Sequence, residues 1–166
     1  MKTKTIIEEI THEDLVDLLS GALYGSSYLS AQVLYGDSVM FCEEDSYEDV
    51  IANVLLHGGT IYITDHYAED GEVYGNLSCE VKEDDEGNLS TIYFVTLNDI
   101  KSGLERAASG TFNAGADGNF ISDWRERCIE FAKRSFEAFS WNEREWDAIT
   151  ADCLMQIILF NEIVYG

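Results

Sequence analysis

Three histidines and four cysteines are the side chains of this chain best suited to metal or nucleophilic chemistry. The histidines show neither the H-E-x-x-H motif nor any paired spacing, so the sequence indicates no zinc site at His12, His57 or His66. The cysteines are irregularly spaced, include no C-x-x-C pair and are too few for a disulfide scaffold. We expect free buried thiols at all four positions, Cys42, Cys79, Cys128 and Cys153.

One cysteine and one histidine in the middle of the chain suggest a nucleophilic dyad. His66 and Cys79 fall on neighbouring predicted strands, and a thiol needs its base within hydrogen-bond reach. A hairpin turn centred on Asp70 would pair His66 with Tyr74 and Cys79 with Ile61. The two side chains would then lie far apart on opposite faces of the sheet, so we expect no dyad.

A run of alternating oxygen-bearing side chains resembles the first half of a calcium-binding loop (Asp84, Glu86, Asn88 and Ser90). Such a loop requires a glycine at its sixth position and a glutamate at its twelfth. This chain has Leu89 and Val95 there, so the match fails at both positions. The sequence therefore predicts no specific metal site. A loose, weak cation site at the acidic turns remains an alternative.

Other catalytic and cofactor motifs are absent from the sequence. It contains no P-loop, no G-x-G-x-x-G and no G-x-S-x-G. A pair of carboxylates for glycoside chemistry needs a cleft and a defined separation, which a sequence does not supply. We expect a protein that is not an enzyme and uses no cofactor. Two alternatives remain: an acidic structural domain, or a small enzyme that uses a carboxylate site.

The acidic residues are the most unusual feature of the chain. It has 10 basic and 32 acidic residues, a net charge of -22, and residues 43–99 hold fifteen of the acids against one base, Lys82. Acids suit helix starts and turns, but those preferences do not explain why lysine is missing from solvated positions. We predict a partner-binding surface made by Glu43, Glu44, Asp45, Asp49, Glu69, Asp70, Glu72, Glu83, Asp84, Asp85 and Glu86.

Helical periodicity flanks this acidic middle on both sides. Thr11 with Asp14 and Ser46 with Asp49 are capping pairs, each followed by an apolar stripe. Between these two helices we expect a packed irregular loop, with short extended pieces as an alternative. The glycine-rich stretch over 110–119 is expected to be a mobile loop or an internal linker. The predicted helices cover about 11–24, 47–57, 98–109, 122–139 and the residues from about 143 onward.

β-branched and aromatic residues predict three strands over about 60–64, 72–82 and 89–97. Short loops between consecutive strands favour an antiparallel meander. The predicted fold is therefore α+β, a three-stranded antiparallel meander packed with about five α-helices. We expect one domain over 1–166, with an acidic helix-and-sheet part over 43–99 and a helical part over 98–166.

Strand geometry gives the acidic segment a functional interpretation. Duplex DNA carries one charge per ~3.4 Å along each strand, and alternate residues of a β-strand repeat at ~6.6–6.8 Å on one face. Carboxylates at turns and strands can therefore match a phosphate array in spacing as well as in sign. Such a protein would occupy the basic groove of a nucleic-acid-binding protein.

In size, charge and scarcity of basic residues, the chain resembles the small acidic inhibitors of phages and mobile elements. These include DNA-mimic antirestriction and anti-CRISPR proteins, which differ widely in fold. No shared motif carries the resemblance, so no functional residue is transferred by it. The resemblance implies a protein that inhibits a basic, nucleic-acid-binding partner through the acidic segment.

The same charge limits the other partners. It repels DNA, RNA and anionic lipid, so direct binding to nucleic acid or to membranes is disfavoured. The start of the chain lacks the apolar region of a signal peptide, and the longest apolar run, at 154–160, falls far short of the ~20 residues that span a bilayer. We expect a cytoplasmic protein. The apolar last helix offers a homodimer seam as an alternative to a core position.

Overall fold

Four helices of at least ten residues and four strands make up the part of the chain that the computed structural model describes, residues 7–24, 28–33, 46–68, 70–109, 148–162 and 164. The helices are α1 (His12–Tyr24), α2 (Tyr47–Leu56), α3 (Leu97–Ser109) and α4 (Ala148–Phe160). The strands are β1 (Leu29–Val33), β2 (Ile61–Asp65), β3 (Cys79–Glu83) and β4 (Leu89–Val95). The α+β class is confirmed. The predicted helix over 122–139 and the loop over 110–119 lie outside the described residues.

Each of the first three helices begins with a hydroxyl residue and an aspartate three residues later. At α2, Ser46 Oγ accepts the Asp49 N–H at 3.3 Å, while the Asp49 carboxylate accepts the Ser46 N–H. This exchange satisfies two amides that the helix itself leaves without partners. The capping predictions are confirmed. The equivalent pairs are Thr11 with Asp14 at α1 and Thr96 with Asp99 at α3.

The sheet is antiparallel throughout, with strand order β1-β2-β4-β3. The predicted hairpin between β3 and β4 is confirmed. The predicted pairing of the 60–64 strand with the 72–82 strand is wrong, because β4 lies between them: Ile61 pairs with Val95, and Cys79 pairs with Tyr93. The sheet therefore has four strands and is not a simple meander.

Burial explains why β4 takes the central position. Four of the five residues of β2 are buried, and so is most of β4, whereas four of the five residues of β3 are exposed. Pairing the two apolar strands side by side covers both, and it leaves the polar β3 sequence at the edge, where charge is tolerated. The 13-residue connection over 66–78 must then pass across β4 to reach β3.

Strand β1 forms within the predicted irregular loop, as one of the short extended pieces that the sequence left open. Leu29 and Ala31 are buried on the core side, while Ser30 and Gln32 lie on the opposite face. That alternation is a strand signal, but it extends over only five residues. Pairing with β2, in the register of Ala31 with Ile63, supplies the stability that so short a segment lacks alone.

The helices and one face of the sheet enclose the core. Helix α4 packs against α1 and α3, and α2 packs against α1, β1 and β2. All seven residues over 154–160 are buried within the chain, so this part of α4 presents no seam to a second copy. None of the helices in the described ranges combines the length and the apolar character needed to cross a bilayer.

The contact between α3 and α4 depends on a glycine. A methyl group at Gly103 would lie 2.7 Å from the Ile158 Cα. We expect Gly103→Ala to lower the free energy of unfolding by about 1 kcal/mol, because an overpacking cost of ~2 kcal/mol exceeds the ~1 kcal/mol gain in helix propensity. Urea denaturation measures this change. Ser102→Ala, on the exposed side of the same helix, is the control, and an equally stable Gly103→Ala chain would contradict the close approach.

Candidate functional site

The turn between β3 and β4 is the most acidic corner of the described structure. Gly87 adopts a left-handed conformation with φ +87°, and its N–H donates to the Asp84 carbonyl, which closes a three-residue hairpin loop. The Asp84 Oδ1 accepts the N–H groups of Glu86 and Asn88 at 2.9 and 2.8 Å. The hydrogen bonds from Asn88 hold the pKa of Asp84 below its usual value. This carboxylate shapes the turn, while Asp85 and Glu86 lie exposed at its tip.

The connection over 66–78 brings a second acidic segment onto this hairpin. The Thr91 hydroxyl of β4 donates to the Glu72 carbonyl at 2.7 Å. A methyl group at Gly71 would lie 2.9 Å from the Val81 side chain of β3, so the chain at this point lies directly on the hairpin. Asp70 and Glu72 are therefore held beside the hairpin, although they precede its turn by more than ten residues.

We name the exposed acids of these two segments the acidic hairpin surface. The Lys82 ammonium lies 3.7 Å from a Glu80 carboxylate oxygen, with both side chains at least half exposed, and such an ion pair contributes little. Glu80 is an exposed acid of this hairpin that the sequence prediction missed. Its side chain lies on the face of β3 opposite Val81 and the 70–72 segment, because successive residues of a strand alternate between the two faces. The surface comprises Asp70, Glu72, Glu80, Glu83, Asp84, Asp85 and Glu86.

Asp49 lies apart from this surface. Its Oδ1 is 2.8 Å from His12 Nε2, and its Oδ2 accepts from Ser46 at the start of α2. Hydrogen bonds from Ser46 and His12, in that order, lower its pKa. Helix α2 packs against β1 and β2, across the sheet from β3. The four other predicted acids, Glu43, Glu44, Asp45 and Glu69, lie outside the described residues.

Two aromatic residues anchor the 66–78 connection to the core. The backbone N–H of Tyr74 donates to the Tyr93 hydroxyl at 3.0 Å, and both rings pack edge to face on Phe160 at the end of α4. Burial raises the pKa of Tyr93 to about 12. Tyr93 is fully buried, so it belongs to the core and is not available to a partner.

Two further polar contacts lie outside the acidic hairpin surface. The Tyr28 hydroxyl donates to Asp152 of α4, and Gln156 Nε2 donates to the same carboxylate at 2.9 Å. Burial raises the pKa of Asp152. Because Val164 N–H in turn donates to the Gln156 side chain, this network ties the start of β1 to the end of the chain. Its role is structural.

The sequence prediction also missed a serine–histidine contact. Ser30 Oγ lies 2.7 Å from His66 Nε2 on the sheet face opposite the helices. A histidine in this position can take a serine proton, but acyl transfer also needs a group that orients the imidazole and donors for an oxyanion. His66 forms no ion pair with a carboxylate in the described part of the chain. The contact alone does not assemble a catalytic site.

The Cys–His dyad is not formed, as expected, although the predicted pairings were wrong. Cys79 lies on β3 opposite Tyr93, and β4 separates it from β2, after which His66 follows. Cys79 is a free thiol, but it is half-buried and not buried as predicted. Among the residues that the structure describes, no three His, Cys, Asp or Glu side chains are arranged to hold a metal ion.

Comparisons of this chain with protein-family models, with curated proteins and with solved structures give no match.

Proposed function

We propose that this chain is a non-enzymatic interaction protein that binds a basic partner through the acidic hairpin surface. One observation carries the proposal: the exposed acids Asp70 and Glu72 are held beside the acidic β3–β4 hairpin, which comes later in the sequence, by the Thr91–Glu72 hydrogen bond and by the packing of Gly71 on Val81. Helix capping and turn formation require some of these carboxylates. They do not require that the remaining ones converge.

The partner class follows from the charge and the shape of this surface. The hairpin and the 70–72 segment together carry seven carboxylates and one ammonium group, so the local field attracts cationic side chains and accelerates encounter with them at low ionic strength. The β3–β4 hairpin presents acids on a strand and at a turn, the arrangement whose spacing suits a basic groove made for a phosphate backbone. A nucleic-acid-binding protein is therefore the favoured target, and the chain would act as a DNA-mimic inhibitor.

The tyrosines do not supply an alternative nucleic-acid-binding face. Base stacking needs cationic side chains next to the rings to hold the phosphates. Lys82 is the one base in 43–99, and it lies beside Glu80. A direct nucleic-acid contact would set phosphates against the acids of the hairpin.

Immobilised chain exposed to a lysate tests this function. We expect it to retain nucleic-acid-binding proteins at 0.05 M salt and to lose most of them at 0.5 M, because the screening length falls from about 14 to about 4 Å over that range. Duplex DNA should elute them, since it competes for the same groove. Poly-glutamate at equal charge is the matched competitor. Retention unchanged at 0.5 M salt, or elution equal with both polyanions, would count against a DNA mimic.

A further inference from the structure

Strand β3 is an edge strand of the described sheet, and four of its five residues are exposed. Within the β3–β4 ladder, Phe94 N–H donates to the Ser78 carbonyl, and Asp84 N–H donates to the Asn88 carbonyl, both at 2.9 Å. Hydrogen-bonded pairs alternate along an antiparallel ladder, so the main-chain N–H and C=O groups of Glu80 and Lys82 also point to β4. The N–H and C=O groups of the residues between them, Cys79, Val81 and Glu83, therefore point away from the sheet.

Among the described residues, this edge is accessible as well as unpaired. No strand in the described ranges pairs with β3 on that side. The Val81 side chain is 45% exposed, and the residues over 80–83 are all exposed. An edge of this kind is a template for one more strand.

The negative charge around the edge determines which kind of segment can pair with it. Natural proteins place charged residues on edge strands to prevent unwanted pairing, and acids achieve this against neutral or acidic segments. They do not exclude a basic segment. A second copy would bring two acidic hairpin surfaces together, seven carboxylates against one lysine on each side, so a basic strand from another protein is the complementary occupant.

We propose that the outer edge of β3 binds an extended, lysine- or arginine-rich segment of the partner as a fifth strand of the sheet. This inference rests on the proposed function, because the same acidic hairpin surface supplies the electrostatic attraction. It adds main-chain hydrogen bonding through Cys79, Val81 and Glu83. The segment is expected to alternate basic residues with β-branched ones.

One substitution separates main-chain pairing from charge. Val81→Pro removes an outward N–H, leaves the β3–β4 hydrogen bonds intact and retains every carboxylate, and proline is tolerated on the outer side of an edge strand. It also changes the side chain that packs on Gly71, so it is compared with a second variant at the same position. Val81→Thr, which keeps the N–H, is the matched control. The probe is a fluorescent ten-residue peptide that alternates lysine and valine, measured by anisotropy at low salt.

We expect the Val81→Pro chain to bind the peptide about tenfold less tightly than the Val81→Thr chain, because the proline removes one hydrogen bond directly and displaces its neighbours. The same peptide N-methylated at its four central residues keeps its charge but cannot pair, and it should bind the unaltered chain about tenfold less tightly. This second measurement stands even where Val81→Pro fails to fold.

Equal binding by Val81→Pro and Val81→Thr, or by the methylated and plain peptides, overturns the added strand. If the chain still captures basic proteins in a salt-sensitive way when the added strand is overturned, the proposed function survives without the added strand. Loss of capture together with the absence of peptide binding would remove both. A self-association of the unaltered chain that Val81→Pro abolishes would assign the edge to a second copy and overturn the basic strand.

Discussion

Neutralising four acids of the acidic hairpin surface is expected to weaken binding of a captured basic partner about thirtyfold at low salt. The variant combines Glu72→Gln, Glu80→Gln, Glu83→Gln and Asp85→Asn. Each exposed ion pair contributes ~0.2–1 kcal/mol, and four pairs of ~0.5 kcal/mol each together give that factor. Asp84 is left unchanged, because its carboxylate accepts three hydrogen bonds that close the turn. Surface plasmon resonance against the partner at 0.05 M salt measures the loss.

The control neutralises four exposed acids elsewhere with the same change in net charge (Glu8→Gln, Glu9→Gln, Glu13→Gln and Asp17→Asn). Burial and the neighbouring carboxylates Glu13 and Asp14 raise the pKa of Asp17, so removing these charges relieves repulsion and should not harm the fold. We expect the control to lower the association rate slightly through the weaker overall field. If both variants lose binding equally, net charge and not the hairpin attracts the partner.

The second large effect concerns stability, at the point where the 66–78 connection meets the end of α4. Gly75 has φ +73°, and a methyl group there would lie 2.8 Å from the Phe160 carbonyl oxygen and 2.9 Å from that of Leu159. We expect Gly75→Ala to lower the free energy of unfolding by about 2–5 kcal/mol. Left-handed backbone costs ~1–2 kcal/mol in a residue with a Cβ, and the clash with rigid backbone adds ~1–3 kcal/mol.

Gly58→Ala is the matched control, because it measures the free-energy cost of the left-handed backbone conformation without a clash. Gly58 has φ +82°, similar to Gly75, but an added methyl group would meet nothing within 4 Å. We expect Gly58→Ala to cost about 1–2 kcal/mol from the conformation alone. Urea denaturation of both variants measures the difference, which reports the close docking of the connection on α4. If both variants lose the same free energy of unfolding, the docking of the connection on α4 contributes nothing to stability.

The same substitution also links the fold to the proposed site. The connection that Gly75 anchors carries Asp70 and Glu72, and the Tyr74 and Tyr93 rings pack on Phe160 at the same place. Loosening this contact should therefore reduce partner binding at temperatures where the rest of the protein remains folded. Gly58→Ala should bind normally under those conditions.

Local features of the sequence were predictable because they depend on neighbours within four residues. Thr11 with Asp14 and Ser46 with Asp49 are capping pairs whose geometry the sequence spacing alone determines, and both predictions are confirmed. The β3–β4 hairpin follows from the Asp84 to Asn88 turn for the same reason. The concentration of acid in 43–99 is likewise a property of the sequence alone.

Long-range pairing was decided only by the tertiary structure. The sequence predicts three strands in consecutive order, but covering the apolar faces of β2 and β4 places these two together and moves β3 to the edge. No local signal reports that choice, since it depends on how much apolar surface each arrangement buries. The same choice sends the 66–78 connection back over the hairpin and sets Asp70 and Glu72 beside Glu83. The sequence determined that the protein is acidic, and the packing of its apolar strands determined where those acids meet.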